Sequence, residues 1–532
     1  MHRLLDVLPA FTGDRRITTR FTLAPGSDFD IDALAALERA DVRTLLWDEA
    51  LRVKHDLILA ASPKGALRLL PGPRVLLPHG AGFNKTVTND GSTSIPSGLD
   101  PYYLMAEGEP LADLHALAHE EQVNRLARHS PVTACRSAVI GDPTLDRILV
   151  SVPHRAQYRA ALGTGPRRLV VLASTWGPES LLSRRPELPA DLSRTLPHDS
   201  FQVALVLHPN VYSSTGRFDL ARWLDPALEA GLVLSRPYEE WATLMVAADA
   251  VVTDHGSTAL YAAALGHPII NAYDGGVELI PDSPMARLLA ATPRLPTPAD
   301  LPDVLHTALT VDIRSHATAA FAEHGQALTL LRQHLYRLLR LRPPSGPLEA
   351  RAFSPSSTTP RQPRAFTVRA EVSGESISVA RFPVLTQEPV HHLAAEYPSA
   401  GPRAVQSAAV LWSPTGKQSF HRPHATVWTA AGWTAHVMEE APRCRTAVAV
   451  LTRRRCLLRH RTAGLLSMHL EPHQQAGTVS YADPGAVASA VHAWLGGHPM
   501  PALPVSLLCD TGPVTVRVGL APATSDDLDY EL

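Results

Sequence analysis

Within Val251–Ile270, VVTDHGSTALYAAALGHPII, several chemically capable groups fall on one turn. An apolar run ends at Asp254; His255, Gly256, Ser257 and Thr258 follow; small apolar residues at helical spacing then lead to Gly266 and a second apolar run. The pattern predicts a strand, a tight turn and a helix. A helix N-terminus offers unpaired N–H groups and a partial positive charge, which suits a phosphate or diphosphate. Gly256 permits close backbone approach, and the Ser257 and Thr258 hydroxyls add two hydrogen bonds. The ordinary alternative is a helix cap, because Ser, Thr and Asp are favoured there in any protein.

Three other predicted strand ends carry similar groups. LHPN places His208 after the run QVALVL, VLASTWG places Ser174 and Thr175, and VLLPHGAGFNK places His79, Gly80 and Lys85. A lone strand-end histidine is usually structural, but these ends together point to a cleft between two domains. An imidazole, with an ordinary pKa of about 6.5, can accept a proton at neutral pH, so His79 is the candidate base. His208 and the helix opening at Gly256 would stabilise charge developing on a departing phosphate. Lys85 is either a phosphate contact or a solvated loop lysine. No Asp-x-Asp accompanies these strands, and the reading assigns no metal and no cofactor. GTGPRR (Gly163–Arg168) lacks the Gly-Lys-Ser/Thr ending of a nucleotide-binding P-loop.

The elements that must position these residues alternate. Strand-like runs RITTRFTLA, VRTLLW, DLILAA and RVLLP are interleaved with the helical stretches DIDALAALERA and EPLADLHALAHEEQVNRLARHS. After Asp142 the alternation restarts with RRLVVLAS, FQVALVLHP, GLVLS, AAVVTD and HPIINAY. HATAAFAEHGQALTLLRQHLYRLLRLR reads as one long terminal helix. Strands alternating with helices of about ten residues imply parallel sheets. The expected fold is therefore α/β: a Rossmann-like domain over 1–155 and a second over 156–342, both doubly wound. A Pro/Ser-rich linker follows over 343–364, and then an α+β module over 365–532. In that module FTVRAEV, SAAVLWS, HATVWTAAGWTAHVM, TAVAVLT and PVTVRVGLA read as β-rich and PGAVASAVHAWLGG as a helix.

With 532 residues the chain is too long for one core. A net charge of −2 gives no electrostatic case for nucleic-acid binding. Lysine occurs only at 54, 64, 85 and 417, leaving cationic work to arginine. Cys135, Cys444, Cys456 and Cys509 form no CxxC pair and read as free thiols in a reducing compartment. With no signal-peptide core and no long apolar run, a cytoplasmic location is expected. RQHLYRLLRLR and RRRCLLRHR could lie against anionic lipid at the inner membrane face, or be arginine stems on a packed helix and strand.

The order His-Gly after an N-domain strand, then RAQYRAALG, LVVLASTW, LHPN and VVTDHGSTALYAAALGHPII, resembles the CDP-glycerol glycerophosphotransferase family over roughly residues 70–275. Members build teichoic-acid-type cell-wall polymers on a two-domain GT-B fold. The resemblance implies a GT-B arrangement, a nucleotide-diphosphate donor and a polyol-phosphate or glycan acceptor. It implies that His79 is the catalytic base, that His208 is the second catalytic histidine, and that Thr253, Asp254, Ser257 and Thr258 hold the diphosphate. This sequence has TDHGST where the family more often has a tyrosine followed directly by serines, and Lys85 lies one residue further from its histidine. RPYEEWATLMVAADAVVTDHGST also resembles UDP-sugar 2-epimerases, but STALYAAALG lacks the acids that follow the turn there. A non-catalytic scaffold whose C-terminal module binds a partner is the third reading.

Overall fold

The computed structural model describes residues 2–25, 37–38, 40–78, 80–87, 95–346, 348–383, 390–413, 428–475 and 477–532. Among them, Ile58–Ala60, Arg74–Leu76, Leu114–Leu117 and Ser137–Val139 pair in that order into a parallel sheet. A parallel sheet is covered on both faces, so its strands read as continuous apolar runs rather than alternating ones. Here one face packs Leu76 and Leu117 against Leu99, Leu104 and Leu126. On the other, Val75, Leu77 and Leu114 meet Val7 of the N-terminal helix and Leu331 and Leu335 of the helix Ala327–Leu338. That late helix therefore crosses back onto the first domain, as a GT-B arrangement requires.

Two expectations change here, and a third falls mostly outside the described residues. EPLADLHALAHEEQVNRLARHS is not one helix: Leu114–Leu117 is a fully buried strand, and the helix Glu120–His129 starts after His119, whose ring accepts from Glu121 N. The buried run of four outweighed the helical spacing. RITTRFTLA supplies only a bridge, Phe21 to Thr44, instead of a strand. Most of DIDALAALERA lies outside the described residues.

The second sheet is also parallel, ordered Ile269–Asn271, Ala250–Thr253, Arg168–Ser174, Phe201–Leu207, Val233–Leu234. The chain winds outward in one direction from Arg168–Ser174 and then returns to build the other side. The switch point thus falls between Arg168–Ser174 and Ala250–Thr253. The expected long terminal helix is broken: Gly325 has φ +76, and the Asp146 carboxylate accepts from Gly325 N and Ala327 N to open Ala327–Leu338. A glycine in the left-handed region ends a helix, and a carboxylate suits the start of the next.

Residues 348–364 form neither helix nor strand but are strapped to the second domain. Phe353 is buried in its core; its carbonyl accepts from Tyr158 Oη at 2.7 Å, and Arg147 lies 3.9 Å over its ring. Arg361 pairs with Asp225. The Pro/Ser-rich composition suggested a linker; Phe353 and the ion pairs of Arg361 with Asp225 and Glu229 anchor it.

The C-terminal module is a closed barrel of nine strands, sealed where Ala365–Ser373 pairs with both Ser376–Phe382 and His392–Glu396. Closure leaves no exposed sheet edge. PGAVASAVHAWLGG is small or apolar all round, which predicts burial on every side. Accordingly the helix Pro484–Gly497 is buried from Gly485 to Leu495 and packs most closely against the strands Ala365–Ser373 and Ser376–Phe382. HATVWTAAGWTAHVM, read as β-rich, instead holds the helix Ala430–Glu440, capped by Thr429, with Trp433, Thr434 and Val437 on its buried face. Arg455, Arg459 and Arg461 of the second arginine-rich piece bond to Asp527, Thr434 and backbone carbonyls of the same module, while Arg453 and Arg454 are exposed. Among the described residues no helix is long and apolar enough to cross a membrane.

Candidate functional site

In an open parallel sheet a ligand crevice forms beyond the strand C-termini at the switch point. Here Ser174 and Thr175 end one strand and Asp254 ends its neighbour. Asp254 is fully buried, and its carboxylate accepts from Thr175 N at 2.9 Å, Leu181 N at 2.7 Å and Gly256 N at 2.9 Å. Burial pushes this carboxyl above the usual aspartate range, opposed by His255 and those N–H groups. Asp254 thus faces inward and ties the two loops together. Ser174 Oγ is likewise engaged, accepting from Leu182 N at 3.0 Å. Thr253 Oγ1 points to backbone carbonyls.

Ser257 and Thr258 stand on the opposite side of the turn. The helix Thr258–Leu265 starts after Ser257, whose hydroxyl makes no cap hydrogen bond. Ala259 N and Leu260 N bond to the carbonyls of Gly256 and Ser257. Both hydroxyl residues are half-buried and line a cavity of about 1250 Å³ between the two domains. The helix direction is set by a buried network: Arg3 donates to Asp142 at 2.6 Å and to Tyr261 Oη at 2.8 Å, and Tyr261 Oη bonds to Asp142 at 3.0 Å. Residues of the N-terminal helix, the first domain's last loop and the Ser257 helix thereby lock one another.

The first domain's loop meets this turn directly. A Cβ built on Gly80 would lie 2.9 Å from Ser257 Oγ. Backbone pairing holds the loop to the second domain: Thr86 N donates to Glu278 O at 2.9 Å and Ile280 N to Asn84 O at 2.8 Å. Lys85 reaches across, its Nζ 3.4 Å from Thr175 Oγ1, 3.4 Å from Trp176 O, 3.5 Å from Glu278 and 4.9 Å above the Trp176 ring. Burial pushes this ammonium below the ordinary lysine value, against the pull of Glu278 and Asp254. Lys85 is therefore not a solvated loop lysine.

His208 also lines the cavity, with its ring centroid 6.0 Å from that of Trp176. Its Nδ1 accepts from Asn210 N at 3.2 Å, which assigns the neutral ring's proton to Nε2. His79 lies outside the described residues. The structure thus brings Gly80, Lys85, Ser174, Thr175, His208, Gly256, Ser257 and Thr258 around one cavity and turns Asp254 inward.

Glu278 and His255 were not among the expected site residues. Glu278 is buried and contacts both Lys85 and His255 Nε2, the latter at 3.2 Å. His255 packs under Gly275, where a Cβ would fall 2.3 Å from its Cγ. The sequence signal is faint: the glycine pair in DGGVE, which begins at Asp274, shortly after the strand Ile269–Asn271.

No protein-family model matches the chain, and no curated protein matches it. Among solved structures it is similar to the Wall Teichoic Acid Polymerase TagF, at 13% identity, covering 64% of this chain and 91% of that one with a TM-score of 0.42. It is similar to UDP-GlcNAc 2-epimerase from Neisseria meningitidis, at 13% identity, covering 64% and 96% with a TM-score of 0.39. Anabaena Alr3699/HepE matches at 16% identity, covering 64% and 95% with a TM-score of 0.37. Scores this low carry no argument about residues; two facing parallel sheets, a switch-point crevice and a returning helix define the chain as an α/β protein with a GT-B-like arrangement and a closed C-terminal barrel.

Proposed function

We propose that the chain is a transferase that moves a glycerophosphate- or sugar-type group from a nucleotide-diphosphate donor to a hydroxyl acceptor, with a polyol phosphate or glycan as the acceptor class. The observation that carries this reading is the cross-cleft meeting of the Gly80–Lys85 loop with the Gly256–Thr258 turn. A diphosphate on that turn would find the helix N-terminus, two hydroxyls and one ammonium, which is a match in charge and geometry. His208, donating through Nε2, would stabilise the oxygen of the leaving phosphate. The base role goes to His79, on the family resemblance and its place in sequence beside Gly80. Asp254 positions the turn without touching the donor.

A thermal-shift screen with CDP-glycerol, CDP-ribitol and UDP- and GDP-sugars tests the reading. One donor should raise the unfolding temperature, and the same donor should be consumed when a polyol-phosphate acceptor is added. A chain that none of these stabilises is not a nucleotide-diphosphate transferase.

A further inference from the structure

Lys85 and Glu278 sit together in a way that an ordinary salt bridge does not explain. Among the described residues, every polar contact of the Lys85 ammonium is long, at 3.4–3.5 Å, whereas good charged hydrogen bonds fall near 2.7–2.9 Å. The backbones on both sides are pinned by the pairing of Thr86 with Glu278 and of Ile280 with Asn84. The lysine side chain can trade partners without moving either backbone. Thr175, which Nζ contacts, also lies against Gly256: a Cβ there would be 3.3 Å from Thr175 Cβ. The ammonium is therefore one side chain away from the proposed phosphate turn. Glu278 has a second partner in His255 Nε2 at 3.2 Å, so losing Lys85 would not leave its carboxylate alone.

Resting on the proposed diphosphate site, we infer that Glu278 is a built-in competitor for Lys85, and that a donor's diphosphate binds by taking the ammonium over from it. The exchange moves one cation between two anions and breaks no covalent bond. It selects for ligands that bring enough negative charge to displace a carboxylate, so diphosphates gain and nucleosides do not. It also spares the cleft an unpaired, desolvated lysine.

Isothermal titration of CDP, UDP, pyrophosphate, cytidine and uridine into the full chain tests this. Glu278→Gln keeps the shape and removes the competing charge. It should tighten CDP or UDP binding about three- to tenfold and leave nucleosides unchanged. Lys85→Met should weaken the diphosphates about tenfold and cancel the gain from Glu278→Gln in the double variant. Glu278→Asp, which withdraws the carboxylate by one methylene, is the second variant should Gln not fold; it should give a smaller gain of about two- to threefold. Unchanged or weaker diphosphate binding in the Glu278 variants overturns the inference, as does an equal gain without Lys85. If pyrophosphate shows the pattern and nucleotides do not bind, the competitor stands and the nucleotide reading falls. If neither binds the wild-type chain, both fall.

Discussion

Gly80 and Ser257, from different domains and 177 positions apart in the sequence, approach so closely that a Cβ on the glycine would lie 2.9 Å from the serine Oγ. The Ser257 hydroxyl, spared from capping its own helix, lies at the seam of the cleft. Ser257→Ala with Thr258→Ala should therefore weaken nucleotide-diphosphate binding before it touches turnover at saturation. Each lost hydrogen bond to a charged ligand is worth about 1.5–3 kcal/mol, so roughly a hundredfold loss or more is expected for the pair. Titration of the donor found by the screen measures it; an unchanged dissociation constant would return these hydroxyls to an ordinary surface role.

The two histidines should separate by kinetics. His79→Ala is expected to lower turnover about 10²–10⁴-fold while donor affinity barely changes, as for a general base. His208→Ala should cost about 10²–10³-fold through the lost donor to the leaving group. Single-turnover rates and equilibrium binding on the same preparations decide it. Full turnover in His79→Ala would remove the base assignment.

Gly275→Ala probes the support beneath the turn. At φ +81 an alanine is strained, and its Cβ would overlap His255, which is buried against Glu278. Strain and overpacking together should cost about 2–4 kcal/mol. Urea unfolding reads this directly, and a loss below about 1 kcal/mol would mean the His255 ring has room to move.

The barrel is held to the second domain by Arg381, whose guanidinium takes Asp199 at 2.6 and 2.8 Å, pairs with Asp483 at 2.9 Å and lies 4.4 Å over Phe366. Asp199→Asn leaves a buried guanidinium short of its charge partner and should cost about 3–5 kcal/mol; adding Arg381→Met should recover much of it. Burial works to raise the Asp199 carboxyl, but Arg381 outweighs it and holds the group below the ordinary value of 3.8. A depressed folded-state pKa means the contribution is present above that value and lost as pH falls below it. Limited proteolysis across pH 3–6 should show the barrel loosening only at the acid end in the wild type, whereas Asp199→Asn, which has no carboxyl to titrate, should be looser across the whole range.

What the sequence determined by itself was local. Apolar runs ending in Ser174, Leu207 and Thr253 announced parallel strands, and Gly256-Ser257-Thr258 announced the helix that follows, because strand and helix periods are written over a few neighbouring residues. Where local signals conflicted, tertiary context decided: Leu114–Leu117 became a strand inside an apparent helix because a sheet buried all four residues. Asp254 could be recognised as important from its turn, but not that it would face inward, since its three N–H donors come from loops up to 79 positions away in sequence. Glu278, Lys85 and His255 became one cluster, and Arg381 met Asp199, only when separate elements packed. A buried charge needs a partner in space, and no period along the chain records which distant residue will supply it.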